Sequence, residues 1–199
     1  MNVKEYLGDI IGGSLMVSES RVMADTLLQQ PSEEQWKHAV IEQNILQKNS
    51  PQTAIRYART LRWRLEPLGA DFMRELVEAE ERVCIQMLLL ALLLNSPVLV
   101  DFMKTTITDA RRTYQPSLDA DAWSEFYQYR IQAHPELGKF SESSIKKMGN
   151  NAIKILADAG YLNSTRGKQL QPVYLLPEVK SWLQKLERED LEPVMECTL

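Results

Sequence analysis

Met87 to Leu94 reads Met-Leu-Leu-Leu-Ala-Leu-Leu-Leu, eight apolar residues with no polar interruption. A helix carrying this run has no polar face, so it has to be covered on all sides. The run is far shorter than the roughly 20 residues of a bilayer span, and Asn95, Ser96 and Pro97 close it. The chain therefore needs a core thick enough to wrap one helix, which 199 residues can supply. No membrane contact is expected.

The segments around this run read as further helices. Gly8 to Gly13 suggests a loop or short strand, followed by a helix from about Ser18 to Gln30. Ser32 with Gln35 forms a capping-box pattern that opens a helix to about Gln47. Ser50-Pro51 places a cap and a first-turn proline before a helix ending near Glu66. Gly69 to Leu94 reads as one long helix and Pro97 to about Tyr114 as its partner. Helices follow over about 120–133, from a Ser141 cap to Ala159 with Gly160 as terminator, and over 177–189. Between the last two, Tyr161 to Leu176 reads as a β-hairpin with Arg166, Gly167 and Lys168 at its tip. The expected fold is mainly all-α, with two helix-turn-helix units, the second winged by this hairpin. The expected segments are 1–68, 69–115 and 116–199.

Cys84 and Cys197 lie far apart, so no disulfide framework is expected, and a reducing cytoplasm is the natural location. These cysteines and the two histidines, His38 and His134, lack zinc-ligand spacing. The chain has no HExxH, P-loop or GxSxG motif. Asp119 and Asp121 fit helix capping better than a metal pair, and Glu78 with Glu81 has no accompanying histidine. No enzyme, metal or cofactor is expected.

The formal charge is −4, which alone argues against a nucleic-acid partner, but the charge is polarised. Lys48 to Glu66 carries five basic residues and one acid, and Lys139 to Lys168 carries six and two. Each segment is therefore +4, leaving −12 elsewhere. Local fields, more than the total, decide what docks.

On the first basic helix, Ala54, Ala58, Leu61 and Leu65 cluster on one side. Gln52, Arg56, Arg59, Thr60 and Trp63 fall on the other, flanked by Arg62 and Arg64. No acid occurs from Gln43 through Leu65, although a merely solvated face normally mixes signs. With the preceding helix this forms a helix-turn-helix pattern whose second helix would enter a major groove. The plainer alternative is a solvated arginine face with Trp63 packed under a neighbouring segment.

On the second basic helix, Ile145, Met148, Gly149, Ala152, Ile155, Leu156 and Ala159 form an apolar face. Ser143, Lys147, Asn150, Asn151 and Lys154 lie opposite, with Lys146 at the edge. Asparagine can pair with adenine, and lysine can reach guanine or phosphate. Arg166 and Lys168 would hold the duplex backbone from the wing. The alternative is a surface helix with a solvated loop.

Three sets of residues then resemble a known family, the BrxA proteins of bacteriophage-exclusion (BREX) defence systems. They are Gly12-Gly13-Ser14-Leu15 with Glu19-Ser20-Arg21; Asn44-Ile45-Leu46-Gln47-Lys48 with Ser50, Pro51, Thr53, Ala54 and Arg56; and Asn151 with Leu156-Ala157-Asp158-Ala159-Gly160-Tyr161-Leu162. The resemblance covers almost the whole chain. It implies an all-helical cytoplasmic protein with two helix-turn-helix units, DNA-binding ability, and other defence proteins as partners. The expected function is a non-enzymatic accessory protein that contacts double-stranded DNA through both basic helices and the wing. The alternative is a protein–protein adaptor within a defence complex.

Overall fold

The computed structural model describes residues 2–198, and the regular elements among them are helical. Helices start where side chains satisfy the free N–H groups. Ser32 and Gln35 form the expected capping box before α3, Glu33–Lys37. Ser50 accepts from the Thr53 N–H at 3.3 Å to open α4, Pro51–Leu65. Ser141 does the same from Ser144 for α10, Glu142–Asp158. A capping box not anticipated from the sequence, Asn2 with Glu5, opens α1, Val3–Leu7.

Contacts group the chain into two units, residues 15–92 and residues 1–14 with 93–199.

In the unit 15–92, α2, Val17–Leu28, packs on α4 and on α5, Gly69–Glu78. Met23, Ala24 and Leu27 share the interior with Ala54, Ala58, Leu61, Leu65, Phe72 and Leu76. The helix expected to reach Gln47 instead runs from α3 through a π-helical turn, His38–Glu42, and stops. Asn44 takes a left-handed conformation, with φ +48°, and its side chain both accepts from and donates to the Lys48 backbone at 2.9 Å. That local pairing replaces the helical hydrogen bonds.

The single helix expected over 69–94 is broken. Ala79 is extended, separating α5 from α6, Glu81–Asn95. Arg21 of α2 causes the break to be tolerated: its guanidinium donates to the Val77 carbonyl at 2.8 Å and to that of Ala79. The cation thus satisfies carbonyls at the end where the helix dipole is negative. Glu78 and Glu81 consequently sit on different helices. Beyond the break, Met87 to Leu93 are at most 1% exposed, as an all-apolar helix demands.

In the other unit, α1 lies on α7, Pro97–Phe102. Gly8 makes this approach possible. Its φ is +55°, and a Cβ there would sit 1.6 Å from the Asn95 carbonyl oxygen. Tyr6 donates its hydroxyl to Asp101 at 2.9 Å, accepts from Arg130 Nε at 2.9 Å, and Arg130 pairs with Asp101. The helix expected over 97–114 is present with a π-helical turn, Met103–Ile107, before α8, Thr108–Arg112. Phe102 meets Trp123 and Phe126 of α9, Ala122–Ala133, edge-on at 5.1 Å. Asp121 stands at the start of α9, but its side chain makes no capping bond.

The β-hairpin wing is absent: no strand forms among the described residues. Only isolated antiparallel bridges occur, Ser117 with Gln169 and Leu162 with Leu170. Pro116 has no N–H to give the Leu170 carbonyl, and the Tyr161 and Gln169 N–H groups go to the Leu156 carbonyl and the Asn163 side chain, so neither pairing extends into a ladder. The segment 163–168 is a side-chain-held turn instead. Asn163 Oδ1 accepts from the Gln169 N–H at 3.0 Å, and Ser164 Oγ accepts from Gly167 at 2.9 Å. The last expected helix ends early, as α11, Pro177–Lys185, because Glu187 is left-handed; α12, Glu192–Glu196, follows.

No single helix among the described residues is long and apolar enough to cross a membrane. Only together do α6 and the helix after it pass that test, with Ser96 between them.

Candidate nucleic-acid interface

The sharper of the two basic surfaces belongs to α10. Met148, Ala152, Ile155 and Leu156 are buried at 0% exposure, which fixes the rotation of the helix. Gly149 completes that packing, since a Cβ there would lie 2.5 Å from Trp123 Cδ1. Trp123 is held in turn by its indole N–H, which donates to the Ile145 carbonyl at 3.1 Å. With α10 so oriented, Lys146, Asn150 and Lys154 face a groove of about 890 Å³, walled opposite by Ala120, Asp121 and Gln128. The 163–168 turn closes one end and adds Arg166 and Lys168.

Four cations and one amide from the sequence reading are therefore brought together, without a wing. Lys168 is braced by donating to the Ala120 carbonyl at 3.4 Å, and Lys154 pairs with Asp158 at 3.2 Å in an exposed contact. Such an exposed pair contributes little and leaves the lysine able to take a different anion. Asp121 and Glu142 also line the groove, so it is not uniformly positive. Lys147 and Ser143 are exposed on α10 outside the groove, and the Ser143 hydroxyl is shared with Ser141 at 3.0 Å. Asn151 does not line the groove. Its amide turns inward and donates to the Ile10 carbonyl at 2.7 Å.

The first basic surface is thinner than its composition suggests. Arg64 is 0% exposed and donates to the Leu15 carbonyl at 3.4 Å, so it belongs to the interior of its unit and cannot meet a duplex. Arg62 is clamped by Glu33 at 2.6 Å and Glu66 at 3.3 Å, and lies over the Trp36 ring. These carboxylates raise its pKa, through hydrogen bonds first. Thr60 donates its hydroxyl to the Arg56 carbonyl at 3.0 Å. What α4 presents outward is Gln52, Arg56, Arg59 and Trp63, with the Arg56 guanidinium also over the Tyr57 ring at 4.7 Å. Trp63 is 51% exposed and does not pack under a neighbour.

Many residues that carried the family resemblance turn out to hold the fold. Glu19 pairs with Lys48, Ser20 donates to the Leu15 carbonyl at 3.0 Å, and Arg21 caps α5. The Tyr161 hydroxyl donates to the Met195 carbonyl inside the core, and burial raises its pKa well above the ordinary value. The Tyr6–Asp101–Arg130 cluster escaped the sequence reading. The Asn2-x-x-Glu5 spacing was the signal for its helix, but nothing local links it to Asp101. No group of three or more His, Cys, Asp or Glu is placed to hold a metal among the described residues.

Fold and surface together define a small all-helical protein that displays two separate cation-bearing helix faces. It belongs to the BrxA family, whose model matches residues 4–187. A relative in Escherichia coli O9:H4 (strain HS), the BREX protein BrxA, is 45% identical over 195 residues, covering 98% of this chain and 92% of its own. The BREX protein BrxA of Paramagnetospirillum magneticum is 32% identical over 180 residues, 90% of each chain. A crystal structure of an uncharacterized protein from Magnetospirillum magneticum superposes with a TM-score of 0.87 at 27% identity, covering 98% of this chain and 100% of that one. The protein is thus a component of BREX phage-defence systems, which gives it other defence proteins as partners.

Proposed function

We propose that this BrxA protein is a non-enzymatic DNA-binding accessory of its defence system, holding duplex DNA at the α10 groove. The observation that carries this reading is the convergence of Lys146, Lys154, Arg166 and Lys168 around Asn150 on one groove. Cations of this kind neutralise phosphates and set register, while the amide reaches base edges. The net charge of −4 does not oppose this, because binding follows the local field. Chemistry on the DNA then falls to partner proteins.

The test is titration of the purified protein against unrelated duplexes at several salt concentrations. If the groove cations and Lys147 each neutralise one phosphate, the log–log salt slope is about −4 to −5. Replacing Lys146 and Arg166 with Ala should flatten that slope. Affinity that does not change between low and moderate salt overturns the reading.

One observation favours an adaptor instead. Val3, Leu7, Ile11 and Phe140 line a second, mainly apolar cleft of about 460 Å³ in the same unit. A protein partner held there would bind with little salt dependence and would be lost on Ile11→Asp.

A further inference from the structure

Trp36, Trp123 and Trp182 are 4 to 6% exposed, whereas Trp63 is 51% exposed. On α4 it follows Gln52, Arg56 and Arg59 at steps of four, three and four residues, so all four share one face. The stripe is about 16 Å long at 1.5 Å per residue, and each member is exposed. Arg59 makes no ion pair among the described residues, and the acid-free run extends from Gln43 to Leu65. Glu66, the next acid along, is engaged by Arg62, which also holds Glu33. The other exposed aromatics lack this setting. Tyr129, for example, shares a pocket of mixed charge, in which Asp109, Asp119 and Glu125 stand beside Lys104 and Arg112.

An aromatic face set in a row of cations is the combination that holds single strands. The cations follow the backbone, and the ring takes the face of an unpaired base. A duplex keeps its base faces stacked on one another and presents only groove edges and phosphates. It would leave the indole of Trp63 without a matching surface. We propose that the Gln52–Arg56–Arg59–Trp63 stripe of α4 is a single-stranded DNA site, with Trp63 stacking on an unpaired base and the arginines on flanking phosphates. The proposal rests on the reading that the protein works on DNA, but gives the unit 15–92 a different substrate from the α10 groove.

Tryptophan emission reads this directly, because the other three indoles are buried. The intact protein is titrated with a thymine oligonucleotide of about 12 nucleotides and, separately, with a blunt duplex of similar length. The oligonucleotide should quench emission. Trp63→Ala should weaken oligonucleotide binding about tenfold or more and change duplex affinity less than about twofold, while Trp63→Phe retains most of the binding. Duplex binding with no effect of Trp63→Ala on the oligonucleotide overturns this inference alone. Oligonucleotide binding without duplex binding supports it and overturns the α10 reading. Failure to bind either DNA overturns both. Emission that shifts with protein concentration in the absence of DNA assigns the stripe to a second copy of the chain and also overturns it.

Discussion

Gly149→Ala sets two opposed effects against each other at the floor of the α10 groove. Alanine in a helix interior is favoured over glycine by about 1 kcal/mol. Against this, the new Cβ would lie 2.5 Å from Trp123 Cδ1, 2.7 Å from Cγ and 3.2 Å from Cβ. The indole has little freedom to give way. Its N–H is bonded to Ile145 on the same helix, and its ring contacts Phe102 at 5.1 Å and Phe126 at 5.5 Å. Overpacking of this sort costs about 1–3 kcal/mol, and losing the indole hydrogen bond adds about 1 kcal/mol. The clash wins, with a net destabilisation of about 1–3 kcal/mol after the propensity gain is subtracted. Urea unfolding followed by circular dichroism measures it, and the melting temperature should fall by about 2–4 °C per kcal/mol. Trp123 emission should shift as its packing loosens. A variant with an unchanged or higher midpoint would show that the ring yields freely and that glycine is not what seats α10 on α9.

Arg64→Ala should destabilise by about 2–4 kcal/mol in urea unfolding, through lost packing and the cavity left in the interior of its unit, whereas Arg56→Ala with Arg59→Ala should stay within about 0.5 kcal/mol of the parent. Asn151→Ala should cost about 1–2 kcal/mol by orphaning the Ile10 carbonyl; Asn150→Ala should leave the unfolding midpoint unchanged and weaken duplex binding in the same salt titration. Burial pushes the Tyr127 phenol up to about 12 from its ordinary 10.0. The native state thus keeps a proton that the unfolded chain gives up. The stability contributed is complete below pH 10 and is lost as pH rises from about 10 towards 12. Urea midpoints across that range should fall less steeply in Tyr127→Phe than in the parent, and equal slopes would refute the assignment.

Helix starts were legible because their signals are local. Ser32 with Gln35, Ser50 with Pro51, and Ser141 each carry the cap and its target within four residues. The apolar faces of α4 and α10 were legible for the same reason, as was the burial of Met87 to Leu93. Breaks were not, because their causes lie elsewhere in the chain. Arg21 ends α5 from 56 residues away. The wing failed on Pro116 and on the Tyr161 and Gln169 N–H groups, which turn to other acceptors, and the consequence of each depends on which segments pair. Among site residues, periodicity placed Asn150 and Lys146 outward correctly, but it could not separate Asn151 from Asn150. It also read Arg64 as flanking a polar surface, although a long side chain at the margin can fold inward to a carbonyl. The exposure of Trp63 had no sequence signal beyond its place on the polar side.

The Tyr6–Asp101–Arg130 cluster bears on how the chain comes off the ribosome. Tyr6 and Arg130 are 124 residues apart, so at about 5–20 residues per second the first helix is made roughly 6 to 25 s before its last partner is translated. Residues 15–92 are contiguous and complete well within that interval. Until residues 97–130 have followed, Tyr6, Leu7 and Ile10 lack part of the surface on which they dock. Helix α1 is thus made ahead of residues 15–92 but settles after them, which makes it a segment of the nascent chain in need of protection by chaperones.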